Sequence, residues 1–94
     1  MTEIGRQALA LHPQVALRPE PFGALAYHYG NRRLVFLRHP DVVRVVQALA
    51  DHPSVDAALE ACGVDAGRRP GFRRALAGLV ESEMLVTAVA EAAA

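Results

Sequence analysis

Four histidines and one cysteine are the residues of this chain that most often bind metals or act as nucleophiles. The histidines are His12, His28, His39 and His52, and the cysteine is Cys62. Zinc ligands usually come in pairs a few residues apart, so the irregular spacing here predicts no metal site. Three of the histidines stand at a proline near the boundary of a predicted element, where a turn position explains them. Cys62 lies on the apolar stripe of a predicted helix, and we expect a small core side chain.

Other catalytic groupings also fail to assemble from the sequence. We find no acid pair, no Ser/His/Asp set and no glycine-rich phosphate loop at workable spacing. With 94 residues the chain is long enough for one small domain with a single core, but not for a deep substrate cavity. We therefore predict that the chain is not an enzyme and that it uses no cofactor.

Arginines form one local cluster at the start of a predicted helix. Arg68 and Arg69 precede the helix, and Arg73 and Arg74 lie in its first turn. The cluster is either a solvated face beside a turn or a contact for an anion, such as nucleic acid or an acidic peptide. Ten acidic residues balance the ten basic ones. The chain lacks the basic excess of nucleic-acid-binding domains, so we expect no nucleic acid partner.

The elements that must position these groups begin with a hairpin predicted over residues 24–38. Its two arms are rich in residues that favour strands, and Gly30-Asn31 between them is a tight-turn signal because both tolerate positive φ. Pairing the arms across this turn places Tyr27 opposite Leu34.

Both faces of this hairpin are mostly apolar. The bulkier face, which we expect to suit the core, carries Leu25, Tyr27, Leu34 and Phe36. The smaller face carries Ala24, Ala26, His28, Val35 and Leu37. A sheet with one wet side should alternate apolar and polar residues. The smaller face must therefore be covered, either by the terminal segments of this chain or by another molecule.

Three strands are predicted before the helical half of the chain. Residues 1–11 have only a weak helical spacing. Val15 to Leu17 is a short apolar run closed by two prolines and predicts a first strand. The hairpin adds two more strands, which makes a meander with residues 34–37 at its edge.

Three helices follow, because the apolar period changes from 2 to 3.6. The first spans the stripe from Val42 to Leu49, and the second follows the predicted N-cap Ser54. The third runs from near Gly71 to about Met84. Leu85 and Val86 are expected to add a last apolar contact, and the alanine-rich end to fray or extend the helix. The predicted fold class is α+β, a single winged-helix-like domain over residues 1–94 with an ordered core of about 13–86.

The edge strand and the third helix together predict a groove. The helical stripe of Phe72, Leu76, Leu79 and Val80 is mainly core, but its N-terminal end is placed to form a wall beside residues 34–37. A strand edge beside an apolar helix is the geometry of β-strand addition, in which backbone hydrogen bonds supply affinity and side-chain pockets supply specificity.

The edge strand is also flanked by charge. Arg32 and Arg33 precede it, and Arg38 follows it. Charges at a strand edge discourage uncontrolled pairing. Alternatively, they steer a peptide with acidic residues into register.

The wording of residues 15–86 resembles a known family. The run VALRPEPFGALAYHYGNRRLVFLRHPDVVRVVQAL, followed by LVESEMLV, is similar to the MftB family of mycofactocin-biosynthesis chaperones. This family belongs to the PqqD-like peptide-recognition elements of pathways that modify ribosomal peptides. The resemblance implies that the chain binds the leader of a precursor peptide, MftA in this pathway. It further implies that the chain presents this peptide to a radical S-adenosylmethionine enzyme, MftC.

The resemblance also implies where the peptide binds. In the wider family the leader docks as an added antiparallel strand on the third strand, in a groove completed by the third helix. Carried over to this sequence, the peptide-binding residues are Arg33, Leu34, Val35, Phe36, Leu37, Phe72, Arg73, Leu76 and Leu79. We expect the enzyme to dock on the smaller sheet face, at Ala26, His28, Val35 and Leu37.

The sequence also predicts a cellular location. With no signal sequence, no membrane-spanning run and a single cysteine, we expect a cytoplasmic protein without a membrane partner. We also expect a monomer when nothing is bound. Two other functions stay open. One is a winged-helix DNA-binding regulator that uses the arginines as contacts, and the other is a structural subunit with no peptide cargo.

Overall fold

The computed structural model describes residues 4–87. The elements in chain order are β1 (Leu9–Leu11), β2 (Val15–Glu20), β3 (Gly23–His28), β4 (Leu34–Leu37), α1 (Pro40–Ala48), α2 (Val55–Ala61), α3 (Arg69–Glu81) and β5 (Leu85–Thr87). Short 3₁₀ turns lie at Ile4–Arg6, Leu49–Asp51 and Ala66–Arg68. The predicted α+β class is confirmed, with β2 to β4 followed by three helices. None of the described helices has both the length and the apolar character needed to cross a membrane.

Strands β2, β3 and β4 form the predicted antiparallel meander, with β3 in the middle. Tyr27 lies opposite Leu34, in the predicted register, and Leu25 lies opposite Phe36. Strand β2 is longer than predicted because it continues through Pro19. An outer strand tolerates proline where the missing N–H would point away from the sheet.

The turn of the hairpin is a four-residue loop rather than a two-residue turn at Gly30-Asn31. The ladder between β3 and β4 ends where the amide of His28 donates to the carbonyl of Arg33, 3.0 Å away, so the loop comprises residues 29–32. Positive φ falls on Arg32, at 67°, and not on Gly30 or Asn31. The buried imidazole of His28 stabilises this loop, since its Nδ1 accepts hydrogen bonds from the amides of Gly30 and Asn31 at 3.0 and 3.1 Å.

A second, two-stranded sheet joins the two ends of the described chain. Strand β1 pairs antiparallel with β5, which places Leu9 opposite Thr87 and Leu11 opposite Leu85. The weak helical spacing over residues 1–11 therefore does not correspond to a helix at residues 9–11. Leu85 is buried as expected, but in a strand, because α3 stops at Glu81 and the chain reverses at Glu83 with φ 67°. The alanine-rich end, from position 88 onward, lies outside the described residues, so the prediction for it is not tested.

The helices follow the predicted stripes. The hydroxyl of Ser54 accepts a hydrogen bond from the amide of Ala57 at 3.1 Å, which confirms the predicted N-cap of α2. Gly63, with φ 75°, follows the end of that helix. Helix α3 begins at Arg69 rather than Gly71, because Pro70 has the backbone angle that a first helical turn requires.

The core lies on the smaller face of the sheet, which reverses the predicted orientation. Ala24 and Ala26 are buried against α1, whereas Leu34 and Phe36 are 53% and 52% exposed. The small side chains let the helix approach the sheet closely. The smaller face is thus covered by this chain itself, chiefly by α1. It offers no docking surface for an enzyme, and that expectation was wrong.

Candidate functional site

One edge of β4 has no strand beside it in the part of the chain that the structure describes. Hydrogen bonds in an antiparallel ladder alternate along each strand. Arg33 faces β3, as its bond to His28 shows, and so Val35 does too. The main-chain amides and carbonyls of Leu34 and Phe36 consequently point away from the sheet. They are the groups that an added strand would pair with.

A groove runs between this edge and α3. It contains a cavity of about 210 Å³ lined by Val35, Phe36, Leu37, Arg38, His39, Val42, Ala75 and Leu79. The strand contributes the floor, because Val35 and Leu37 point to the inner side of the sheet. Ala75 and Leu79 form the helical wall. This combination of an open edge and an apolar channel is the arrangement that β-strand addition requires.

A second cavity of about 430 Å³ continues the groove toward the start of α3. Its lining residues are His39, Val42, Gly67, Arg68, Pro70, Gly71, Phe72 and Arg74. His39 and Val42 line both cavities, so the two adjoin, and we call them together the channel. The channel is apolar beside β4 and carries guanidinium groups at its other end.

The strand residues predicted from the resemblance lie along β4 and its free edge. Arg33 is exposed at the start of β4, and Leu34 and Phe36 form its free edge. Val35 and Leu37 line the first cavity. Their role in binding a peptide stays a prediction, but the structure brings all of them together along one border of the groove.

The predicted helix residues are divided between the channel and the core. Leu79 lines the first cavity and Phe72 lines the second. Leu76 is fully buried in the core, and neither cavity touches it. Arg73 points to α2, where its Nε and Nη2 donate to Oδ1 of Asp56 at 3.0 and 2.9 Å.

Four α3 residues at the channel were absent from the predicted set, namely Pro70 and Gly71 in its first turn together with Arg74 and Ala75. Ala75 and Arg74 are both exposed and line the first and second cavities, respectively. Ala75 lies one turn before Leu79, at the border of the apolar stripe, whereas Arg74 lies outside the stripe. Arg74 belongs to the arginine cluster that the sequence offers as an anion contact, but no sequence signal identified Ala75.

The predicted arginine cluster is mostly engaged within the chain. Nη2 of Arg68 donates to Asp41 at 2.9 Å, and Nε of Arg69 donates to the carbonyl of Val64 at 3.0 Å. Arg73 is held by Asp56 on α2. Of the four cluster residues, Arg74 alone has a guanidinium group with neither a hydrogen bond nor an ion pair to residues 4–87. The cluster therefore does not form a continuous free cationic patch.

Asp41 connects the first turn of α1 to the segment before α3. Its Oδ2 accepts from Arg68, and its Oδ1 accepts from Nη2 of Arg44, each at 2.9 Å. The hydrogen bond from Arg68, followed by that from Arg44, lowers the pKa of Asp41 below its ordinary value of 3.8. Because the pKa is lowered on folding, the ionised Asp41 carboxylate stabilises the folded chain. This stabilisation is fully present at pH values above 3.8, and it is lost as the pH falls through the lower pKa of the folded state.

We expect Arg68→Gln to raise the pKa of Asp41 toward 3.8, because Arg68 is the main cause of its lowering. The measurement is an NMR titration of the Asp41 carboxyl carbon. Arg44→Gln is the matched control and should raise the pKa less. The pair is exposed to solvent, so unfolding free energies should hardly change. A wild-type pKa at or above 3.8 would contradict this assignment.

Metal binding has no structural support within residues 4–87. No three His, Cys, Asp or Glu side chains in that range lie close enough to hold an ion together. His28 stacks at a tilt against His12, with ring centroids 4.3 Å apart, and uses its Nδ1 in the hairpin loop. His12 and His28 thus have structural contacts.

Comparison with known proteins gives one consistent result. A family model described as the peptide chaperone MftB family matches residues 8–86. Peptide chaperone MftB of Mycolicibacterium smegmatis is 55% identical over 76 residues, which cover 81% of this chain and 74% of the relative. The proteins of the same name from Mycobacterium ulcerans and Mycobacterium tuberculosis are 53% and 51% identical over 76 residues, 81% of this chain and 70% of each relative. No solved structure matches the chain.

Proposed function

The chain belongs to the peptide chaperone MftB family, and we propose that it is an adaptor in mycofactocin biosynthesis. In this proposal it binds the leader of an MftA-like precursor peptide and delivers it to an MftC-like radical S-adenosylmethionine enzyme. The family comprises peptide chaperones and not enzymes, which agrees with the predicted lack of catalysis. The observation that supports the binding mode is the open edge of β4 beside the channel along α3.

The leader would bind as a fourth strand, antiparallel to β4. The outward amides and carbonyls of Leu34 and Phe36 offer about four strand hydrogen bonds at ~1 kcal/mol each. Alternate leader side chains would enter the channel between Val35 and Ala75, where each buried apolar group contributes ~1.5–3 kcal/mol. The loss of freedom on association and the ordering of the peptide cost a free energy of similar size. A dissociation constant in the micromolar to submicromolar range is therefore expected.

The charges at the channel favour a leader with acidic side chains. Arg33 and Arg38 flank β4, and Arg74 lies at the far end of the channel. Within residues 4–87 none of these three guanidinium groups pairs with a carboxylate. Acidic leader residues would supply the missing counter-charges and would help to fix the register of the added strand.

Filling the channel tests the proposal. Ala75→Phe should weaken leader binding by about tenfold or more, because the ring would occupy the first cavity at an exposed helical position. Ala61→Phe is the matched control, since Ala61 is an exposed helical alanine on α2 that lines neither cavity. The measurement is fluorescence anisotropy with a labelled synthetic leader of an MftA-like precursor peptide.

Three results of this titration would speak against the proposal or for it. Loss of affinity in Ala75→Phe with wild-type affinity in Ala61→Phe supports it. Equal affinity in both variants would place the leader elsewhere. Absence of leader binding to the wild-type chain would refute the proposal, and the alternative of a structural subunit with no peptide cargo would remain.

The alternative of a DNA-binding regulator has lost its main support. It relied on the arginines at the start of α3, and Arg68, Arg69 and Arg73 are held by groups of the chain itself. Duplex affinity that falls steeply with salt would be its signature. The monomeric state and the cytoplasmic location remain predictions.

A further inference from the structure

The outer face of the three-stranded sheet, turned away from α1, exposes large apolar side chains. We define this outer face by Phe22, Leu25, Tyr27, Tyr29, Leu34 and Phe36. Four of its members, Phe22, Tyr29, Leu34 and Phe36, are the exposed large apolar side chains of the described chain. A shallow cavity of about 320 Å³ lies over its centre, where Ala16 and Arg18 adjoin it.

The stability of the chain does not account for this face. Burial of bulky groups is the main source of folding free energy, yet β3 directs Ala24 and Ala26 inward and Leu25 and Tyr27 outward. An exposed apolar patch on a small protein commonly marks an interaction surface.

The rings of the outer face are already ordered for binding. Phe22 stacks on Phe36 with ring centroids 5.7 Å apart, and Tyr27 meets Tyr29 edge-to-face at 5.0 Å. Aromatic side chains that already pack against one another lose little conformational freedom when a partner docks. Such residues are also the commonest anchors of protein interfaces.

The charge on the outer face selects among possible partners. Arg18 pairs with Glu20 at 2.9 Å, and Glu20 carries the sole carboxylate of this face within the described residues. Arg38 lies over the ring of Phe36 at 5.4 Å and pairs with no carboxylate in that range. A second copy of the face would bring more cations than carboxylates. A protein surface with an apolar centre and a carboxylate border is the better complement.

The position of the face connects it to the peptide groove. Leu34 and Phe36 place their side chains on the outer face and their free main-chain groups at the edge of β4. A peptide added at that edge would continue the sheet, and every second side chain of the peptide would extend the outer face. A partner seated on the face would therefore touch the cargo as well.

The size of the face agrees with this shared contact. Three strands of this length span roughly 300 Å². A stable interface usually buries ~800 Å² on each partner. The outer face alone thus suits a weak contact, which a fourth strand would enlarge.

We propose that the outer face is the docking surface for the enzyme that receives the peptide. The enzyme would contribute an apolar patch bordered by carboxylates, and it would bind the loaded chaperone more tightly than the empty one. This inference rests on the function proposed above, because that function supplies both the cargo and the recipient.

Charge placed on the outer face tests the inference. Tyr27→Glu and Phe22→Glu should each weaken binding of the radical S-adenosylmethionine enzyme by about tenfold or more. Neither position supplies main-chain groups to the free edge of β4, so leader affinity should be unchanged. Ala61→Glu on α2 is the matched control for the added charge. The measurements are biolayer interferometry with immobilised enzyme, with and without the synthetic leader, and thermal unfolding of each variant.

The outcomes separate this inference from the proposed function. It is supported when both folded variants lose enzyme affinity, Ala61→Glu does not, and leader increases the affinity of the wild type. Equal enzyme affinity of wild type and Phe22→Glu would overturn it, as would a stable homodimer formed through this face. Failure of the leader to bind the wild type would instead refute the proposed function, while the enzyme measurement without leader still decides the docking surface.

Discussion

Replacing Leu34 with proline should weaken leader binding by about 30-fold or more while the chain stays folded. The amide of Leu34 points away from β3, so proline removes a donor that the sheet does not use. The ring would also stand in the path of the added strand. One lost hydrogen bond costs ~1 kcal/mol, and displacement of the neighbouring pair adds at least as much, which together correspond to this loss.

Leu34→Ala separates the amide from the side chain. This variant keeps the main-chain donor, and its leader affinity should fall only slightly. Proline at Val35 would be uninformative, because the amide of Val35 faces Ala26 inside the sheet. Equal leader affinities for Leu34→Pro and Leu34→Ala, measured by anisotropy, would rule out pairing at this position.

Gly23→Ala should destabilise the fold by roughly 3 kcal/mol or more. Gly23 has φ +149°, a conformation that side chains rarely adopt, and an added Cβ would meet the backbone carbonyl oxygen of Leu37. The clash involves backbone at the end of β4, so the strand itself must shift. Leader affinity should therefore fall together with the free energy of unfolding, which urea denaturation measures.

Gly78→Ala is the matched control for this substitution. A Cβ added at Gly78 on α3 would have no neighbouring side chain or strand within 4 Å, so the change should stabilise the chain by ~0.5–1 kcal/mol through helix propensity. An unfolding free energy of Gly23→Ala equal to that of the wild type would contradict the close contact between the β2–β3 turn and β4.

Local sequence patterns predicted the hairpin register but not its orientation. Residue types and the position of Gly30-Asn31 were sufficient to place Tyr27 opposite Leu34, because the loop stays centred on the same two residues whether it has two residues or four. Which face is buried depends on how closely α1 approaches the sheet. That distance is set by alanines. Side-chain size alone predicts that the face with the larger side chains is buried, and so it predicts the wrong face here.

The pairing between the two ends of the described chain could not be predicted from local sequence patterns, for a different reason. Strands β1 and β5 have three residues each, too few to display a period, and each becomes a strand only by pairing with the other. The helix residues that line the groove were only partly predicted, for a related reason. Spacing identifies the apolar stripe through Leu76, but only the packing of α3 on the core shows that Leu76 is buried and that Ala75 lines the channel.

Amide hydrogen exchange by NMR, recorded with and without saturating synthetic leader, tests strand addition at β4 most directly. Strand addition predicts that the amides of Leu34 and Phe36 exchange much more slowly in the complex, while those of Val35 and Leu37, already bonded to β3, change little. Saturation with the leader while Leu34 and Phe36 still exchange at their free-chain rates would contradict it.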